Sequence, residues 1–168
     1  MPTAANIALY LAIAALVFYK VIYTQMRGTL LNRKSLVTLP LILTVIGAVQ
    51  VVQVLPGASA GELGLFAVDA LVLAGIGVLR STSTTLSERD GTTFQKGSVL
   101  TIGLWVLTVA VRVGFVALTT SLGLAGPLTT GSILFTVGLS IGVQNAVTSL
   151  RIQQRRLPLS GRRLVAAR

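Results

Sequence analysis

Residues 98–118 read Ser-Val-Leu-Thr-Ile-Gly-Leu-Trp-Val-Leu-Thr-Val-Ala-Val-Arg-Val-Gly-Phe-Val-Ala-Leu. At 1.5 Å rise per residue a helix of this length covers about 30 Å, the thickness of a bilayer's hydrocarbon core. A single charge, Arg112, interrupts it. Thr101, Trp105, Thr108 and Arg112 follow steps of four, three and four, so they share one face and leave the rest of the circumference apolar. A helix of this kind turns its polar stripe into a bundle and its remaining surface to lipid.

Four further stretches read the same way, at 6–23, 36–55, 63–79 and 131–150. Turn chemistry separates them: Arg27-Gly28-Thr29, Pro56-Gly57-Ala58, Asp90-Gly91 and Gly126-Pro127. In the first stretch Ala12-Ile13-Ala14 looks like a small-x-small cleavage site, yet no Lys or Arg precedes it and Lys20 follows. That is the reverse of a secretory signal, and a retained helix is expected. Composition agrees with a membrane class: 53% hydrophobic and 11% charged residues give a mean hydropathy of +0.85, where soluble domains carry about 25% charge. The expected fold is all-α, a polytopic bundle of five transmembrane helices over 1–150, followed by a basic tail at 151–168.

The chain has 14 Lys+Arg against 4 Asp+Glu. Lys20, Arg27, Arg33 and Lys34 lie at the first junction, Arg80, Arg89 and Lys96 at the third, and the tail carries Arg151, Arg155, Arg156, Arg162, Arg163 and Arg168. The 56–62 and 119–130 loops carry none, so the positive-inside rule expects the N-terminus out and the C-terminus in the cytoplasm of a bacterial inner membrane. Pro158 and Gly161 break the tail, and it has no aromatic residue to stack on a base. Anionic lipid headgroups are therefore a better partner than nucleic acid for Arg151, Arg155, Arg156, Arg162 and Arg163.

Between the third and fourth stretches, Thr-rich segments flank Asp90-Gly91. Such a pattern fits either a small cytoplasmic β-hairpin or a solvated Ser/Thr loop.

Within the spans two charges stand out. Asp69 lies six residues after Leu63 and Arg112 six residues before Leu118, each about 9 Å from the same membrane face on antiparallel neighbours. They are expected either to pair as a helix-registering salt bridge or to line a polar cavity that binds a cation, a proton or an anionic head. Gln50 falls near their level, and with Thr108 and Trp105 completes an expected polar layer; core packing is the favoured role for Trp105, over ligand stacking. On the fifth stretch Gly138, Gly142 and Asn145 share a stripe that lets another helix approach closely, preferably one of the same chain, although a homodimer or another membrane protein would also fit.

With no Cys and no His, thiol nucleophiles, Cys/His metal sites and imidazole catalysis are excluded. The carboxylates Glu62, Asp69, Glu88 and Asp90 form no evident acid–base pair, and Glu88 and Asp90 read as turn residues rather than Mg²⁺ ligands. The expectation is a non-enzymatic accessory or binding subunit without cofactor or metal. The alternative is a small transporter or ion-coupled permease working as an oligomer.

The run Gly77-Val78-Leu79-Arg80, then Asp90-Gly91, Lys96-Gly97, Trp105 and Arg112, with Met26-Arg27-Gly28, Arg33-Lys34 and Pro40 upstream, resembles the CcdC-like family of small bacterial polytopic membrane proteins. The resemblance implies a multi-pass inner-membrane protein and carries over no catalytic residue. A direct haem or thiol role does not fit a chain whose soft ligands are Met1 and Met26, both outside any span core.

Overall fold

The computed structural model describes residues 28–30, 33–89 and 92–158. The expected first helix at 6–23, and the end of the tail with Arg162 and Arg163, lie outside the described residues. In chain order the elements are β1 (Thr29–Leu30), α1 (Arg33–Val54), a 3-10 turn (Leu55–Gly57), α2 (Ala60–Ser83), β2 (Thr85–Arg89), β3 (Thr92–Lys96), α3 (Val99–Ser121), α4 (Pro127–Gly131) and α5 (Ile133–Gln154). Among the described residues four helices are long and apolar enough to cross a membrane: Leu36–Gly57, Ala60–Ser83, Val99–Ser121 and Ile133–Gln154.

The long helices stand side by side in the order α1, α5, α2, α3, with the short α4 closing one end against all four. Side-chain placement is inverted relative to a soluble protein. Leu71 and Val99 are 73% and 80% exposed, while Asp69 and Arg80 are 1% and 0% exposed. Apolar surface on this scale is stable only against an apolar medium, so the distribution is that of a multi-pass membrane protein.

The helix row is held by two close crossings on α5. At one, a Cβ on Gly138 would meet the backbone of Leu43 and Thr44, and a Cβ on Gly47 would meet the backbone of Phe135. At the other, a Cβ on Gly77 would lie 2.5 Å from the Ser140 carbonyl oxygen. Gly142 is less tightly placed, its Cβ position lying 3.7 Å from Pro40 Cβ. Pro40 sits inside α1 and has no N–H to give the carbonyl four residues back. That carbonyl belongs to Leu36, and Asn145 Nδ2 of α5 donates to it at 2.8 Å. Asn145 thus supplies across the helix interface the hydrogen bond that proline removes.

At the other end of the row β2 and β3 form a hairpin, with Arg89 opposite Thr92 across the Asp90-Gly91 step. Of the two sequence readings the hairpin is the one adopted. It gains a third strand that sequence reading did not foresee: β1 pairs with β3, Thr29 opposite Gln95 and Leu30 opposite Phe94, in strand order β1-β3-β2. The protein is mostly helical with this small sheet at one end, and β1 went unread because a two-residue strand leaves no alternating pattern. Leu36, Leu86 and Ile152, with Leu157 against them, seat the sheet on the helix ends. Thr93 donates from N and Oγ1 to the Pro158 carbonyl at 2.7 and 2.6 Å, pinning the start of the tail to the sheet.

The helices run past the ends of several apolar stretches. The third stretch, at 63–79 the shortest, is extended at both flanks, so that α2 runs from Ala60 to Ser83. The fifth was begun at Gly131, whereas the chain forms α4 first, breaks at Ser132 and starts α5 at Ile133. Hydropathy marks where a helix can meet lipid, while its ends follow the caps. Ser59 accepts from the Glu62 N–H at 3.1 Å, and Ser98 and Thr101 form a capping box at α3.

Candidate functional site

The residues around Asp69 and Arg112 form a polar site near the α4 end of the bundle. Each sits nine residues from the α4 end of its helix, because α2 begins and α3 ends three residues beyond the apolar stretches on which they were first placed. The two are therefore level, and Arg112 Nη1 donates to Asp69 Oδ2 in a salt bridge whose side chains are 14% and 1% exposed. The other terminal nitrogen, Nη2, donates to the Thr129 carbonyl at 2.6 Å and to Ser132 Oγ at 3.0 Å. A planar guanidinium offers five donors in fixed directions, so one side chain joins α2, α3 and the α4–α5 break.

Glu62, in the first turn of α2, is 3% exposed. The Ser59-x-x-Glu62 pattern would let the glutamate return to the N-cap backbone. Instead Glu62 Oε1 accepts from the Thr129 N–H at 2.8 Å and from Thr129 Oγ1 at 2.9 Å. Gly126 leaves room for the carboxylate, which occupies the place a Cβ there would take. Pro127 starts α4 at a position where no N–H is needed. The five residues of α4 are thus tied to α2 by Glu62 and to α3 by Arg112.

These groups border a cavity of about 20 Å³ lined by Glu62, Asp69, Arg112, Thr119, Thr129 and Ser132 among others. It has room for about one water molecule. Asp69 Oδ1 and Arg112 Nε are buried without a partner among the described residues. The site has room for a water beside an unpartnered acceptor and an unpartnered donor.

The remaining expected site residues lie elsewhere. Thr108 is buried but turns its hydroxyl back to the Leu104 carbonyl of its own helix, at 2.8 Å. Gln50 is half-buried on α1, a helix that packs on α5 and α4, and it makes no side-chain hydrogen bond among the described residues. Neither residue is hydrogen-bonded to the Asp69–Arg112 pair among the described residues. Trp105 faces Arg80, whose guanidinium carbon lies 3.9 Å from the ring centroid. Arg151, read as lipid-facing, is half-buried; it donates from Nη1 to the carbonyls of Ser81 and, at 3.3 Å, Thr84, at the C-terminal end of α2. Cations are favoured there by the helix dipole. Arg155 and Arg156 are exposed.

Glu62 and Arg80 are the residues that sequence reading did not place. Glu62 carries a capping signal, but nothing local directs it to Thr129, 67 residues away. Arg80, expected among the basic residues of the third junction, is fully buried and donates from Nη2 to Ser140 Oγ at 2.7 Å. Compared with known proteins, the chain matches no family model, no curated sequence and no solved structure.

Proposed function

We propose that the chain is a non-enzymatic accessory or binding subunit of a bacterial inner membrane, in which Asp69 and Arg112 hold the bundle in register around a minimal polar site. The observation that carries the reading is the Arg112 bridge, which joins α2, α3 and α4 through Asp69, Thr129 and Ser132. A cavity with room for one water favours this role over passage of an organic solute. The absence of Cys and His from the sequence, and the resemblance to CcdC-like proteins, support it. Within this proposal the sheet end faces the cytoplasm and the α4 end faces outward, with the exposed Arg155 and Arg156 beside anionic headgroups.

A second reading, an ion-coupled permease, draws on the unpartnered Asp69 Oδ1 at the cavity. Intramembrane carboxylates commonly serve proton or cation relays. Purification in mild detergent followed by native mass spectrometry separates the two. The accessory reading expects a retained protein partner or lipid, and a bare chain with neither would count against it. Proteoliposomes carrying an internal pH dye should show no proton flux; flux abolished by Asp69→Asn would establish the permease instead.

A further inference from the structure

Arg80 holds a positive charge for which the protein provides no counter-ion among the described residues. Its side chain is fully buried, and its one hydrogen bond goes to Ser140 Oγ, while Nε and Nη1 have no partner. The chain contains only four Asp and Glu side chains. Asp69 is held by Arg112 and lies eleven residues back along α2, about 16 Å away. Glu62 is a further two turns beyond and is held by Thr129. Glu88 is exposed on β2, and Asp90 lies outside the described residues. A guanidinium cannot shed its proton, so the charge persists in a low-dielectric setting. The Trp105 ring covers one face of it, and the indole Nε1 is itself buried without an acceptor. On α5, one turn beyond Ser140, Gln144 Oε1 is also buried and unpartnered.

We propose that the Arg80–Trp105 unit is an anion site that takes a phosphate group, reached by swinging the Trp105 ring off the guanidinium. The donors suit that chemistry. Arginine matches phosphate oxygens through several N–H groups at once, and Nε and Nη1 of Arg80 have no other partner. Position suits it as well. Arg80 lies three residues before the end of α2, about 5 Å from the helix terminus, close to the depth of lipid headgroups. Trp105 is carried by α3, which with α1 ends the row of long helices among the described residues and packs on α2 and the short α4. The flank it guards therefore opens toward surrounding lipid. No described carboxylate near Arg80 would repel an incoming anion, and Arg151 at the end of α2 adds to the positive potential. A phosphate group reaching this site comes either from an anionic phospholipid headgroup or from free phosphate.

Trp105 is the only tryptophan in the chain, so its emission reports directly on the site. The full-length protein in phosphatidylcholine nanodiscs is titrated with phosphatidylglycerol in one arm and with inorganic phosphate in the other, with sodium chloride at equal ionic strength as control. Arg80→Gln and Arg80→Lys are measured alongside. A saturable change in emission is expected, with apparent affinity lowered about tenfold or more in Arg80→Gln and less in Arg80→Lys. Saturation in both arms identifies a site for phosphate itself, and saturation by phosphatidylglycerol alone identifies a headgroup site. No saturable change in the wild-type protein, a change equally produced by chloride, or an undiminished response in Arg80→Gln would overturn the proposal. Should Arg80→Gln fail to fold, the wild-type titration and Arg80→Lys still decide it.

Discussion

Arg112 and Asp69 differ in what each can do when left alone, and this makes their pairing testable. A stranded carboxylate can be neutralised by a proton, whereas a stranded guanidinium cannot lose its charge. Asp69→Ala should therefore destabilise the bundle by about 3 kcal/mol, on the scale of a broken buried ion pair, and Arg112→Ala by less. The Thr129 carbonyl and Ser132 hydroxyl still hold the guanidinium after Asp69 is lost, which keeps the penalty to that lower bound. The double variant should recover part of the loss, measured by thermal melts in detergent as a double-mutant cycle. Strict additivity would show that the two residues act separately. The level match of this pair was legible in the sequence, since it depends only on counting from two loops. The roles of Thr129 and Ser132 were not, because they come from a five-residue helix and the break that follows it, which no hydropathy window resolves.

At the scale of elements, the α1–α5 interface carries two linked features. Replacing Asn145 by Leu orphans the Leu36 carbonyl that Pro40 leaves free, at a cost of about 1–2 kcal/mol. In a Pro40→Ala background the backbone N–H returns to that carbonyl, and the same Asn145→Leu change should cost much less. Equal costs in both backgrounds would mean that Asn145 acts independently of the proline. The glycine stripe divides in the same manner. Gly138→Ala drives a Cβ to 2.7 Å from the Thr44 nitrogen, a backbone clash expected to cost about 1–3 kcal/mol. Gly142→Ala meets only an ordinary 3.7 Å contact and should be neutral or stabilising, by up to about 1 kcal/mol. Melting temperatures moving in the same direction for both would refute this reading of the interface. A small-residue pattern announces close approach without saying which glycine bears it; that depends on where the facing backbone lies.

For the whole molecule, the sheet and the start of the tail lie at one end of the helix row and α4 at the other. Cysteines introduced at Ser59 and Ser160 should therefore react with membrane-impermeant reagents from opposite faces of sealed vesicles, Ser160 from the cytoplasmic side. Labelling from one face would refute the proposed topology. This outcome rests on Lys and Arg asymmetry between loops, which acts during insertion and is written in the sequence.

Hydropathy and charge by themselves determined that the chain enters a membrane, roughly where its long helices run, and that Asp69 and Arg112 share a level. Those properties are sums over neighbouring residues, and a one-dimensional window measures them well. Only the tertiary structure decided that Glu62 ties α4 to α2, that Asn145 serves Pro40, and that Arg80 is buried beneath Trp105. The physical reason is that a polar group in a low-dielectric interior takes whichever partner the helix crossings bring within about 3 Å. Those crossings are set by glycines on α1, α2 and α5 acting together, at separations along the chain that no local pattern encodes.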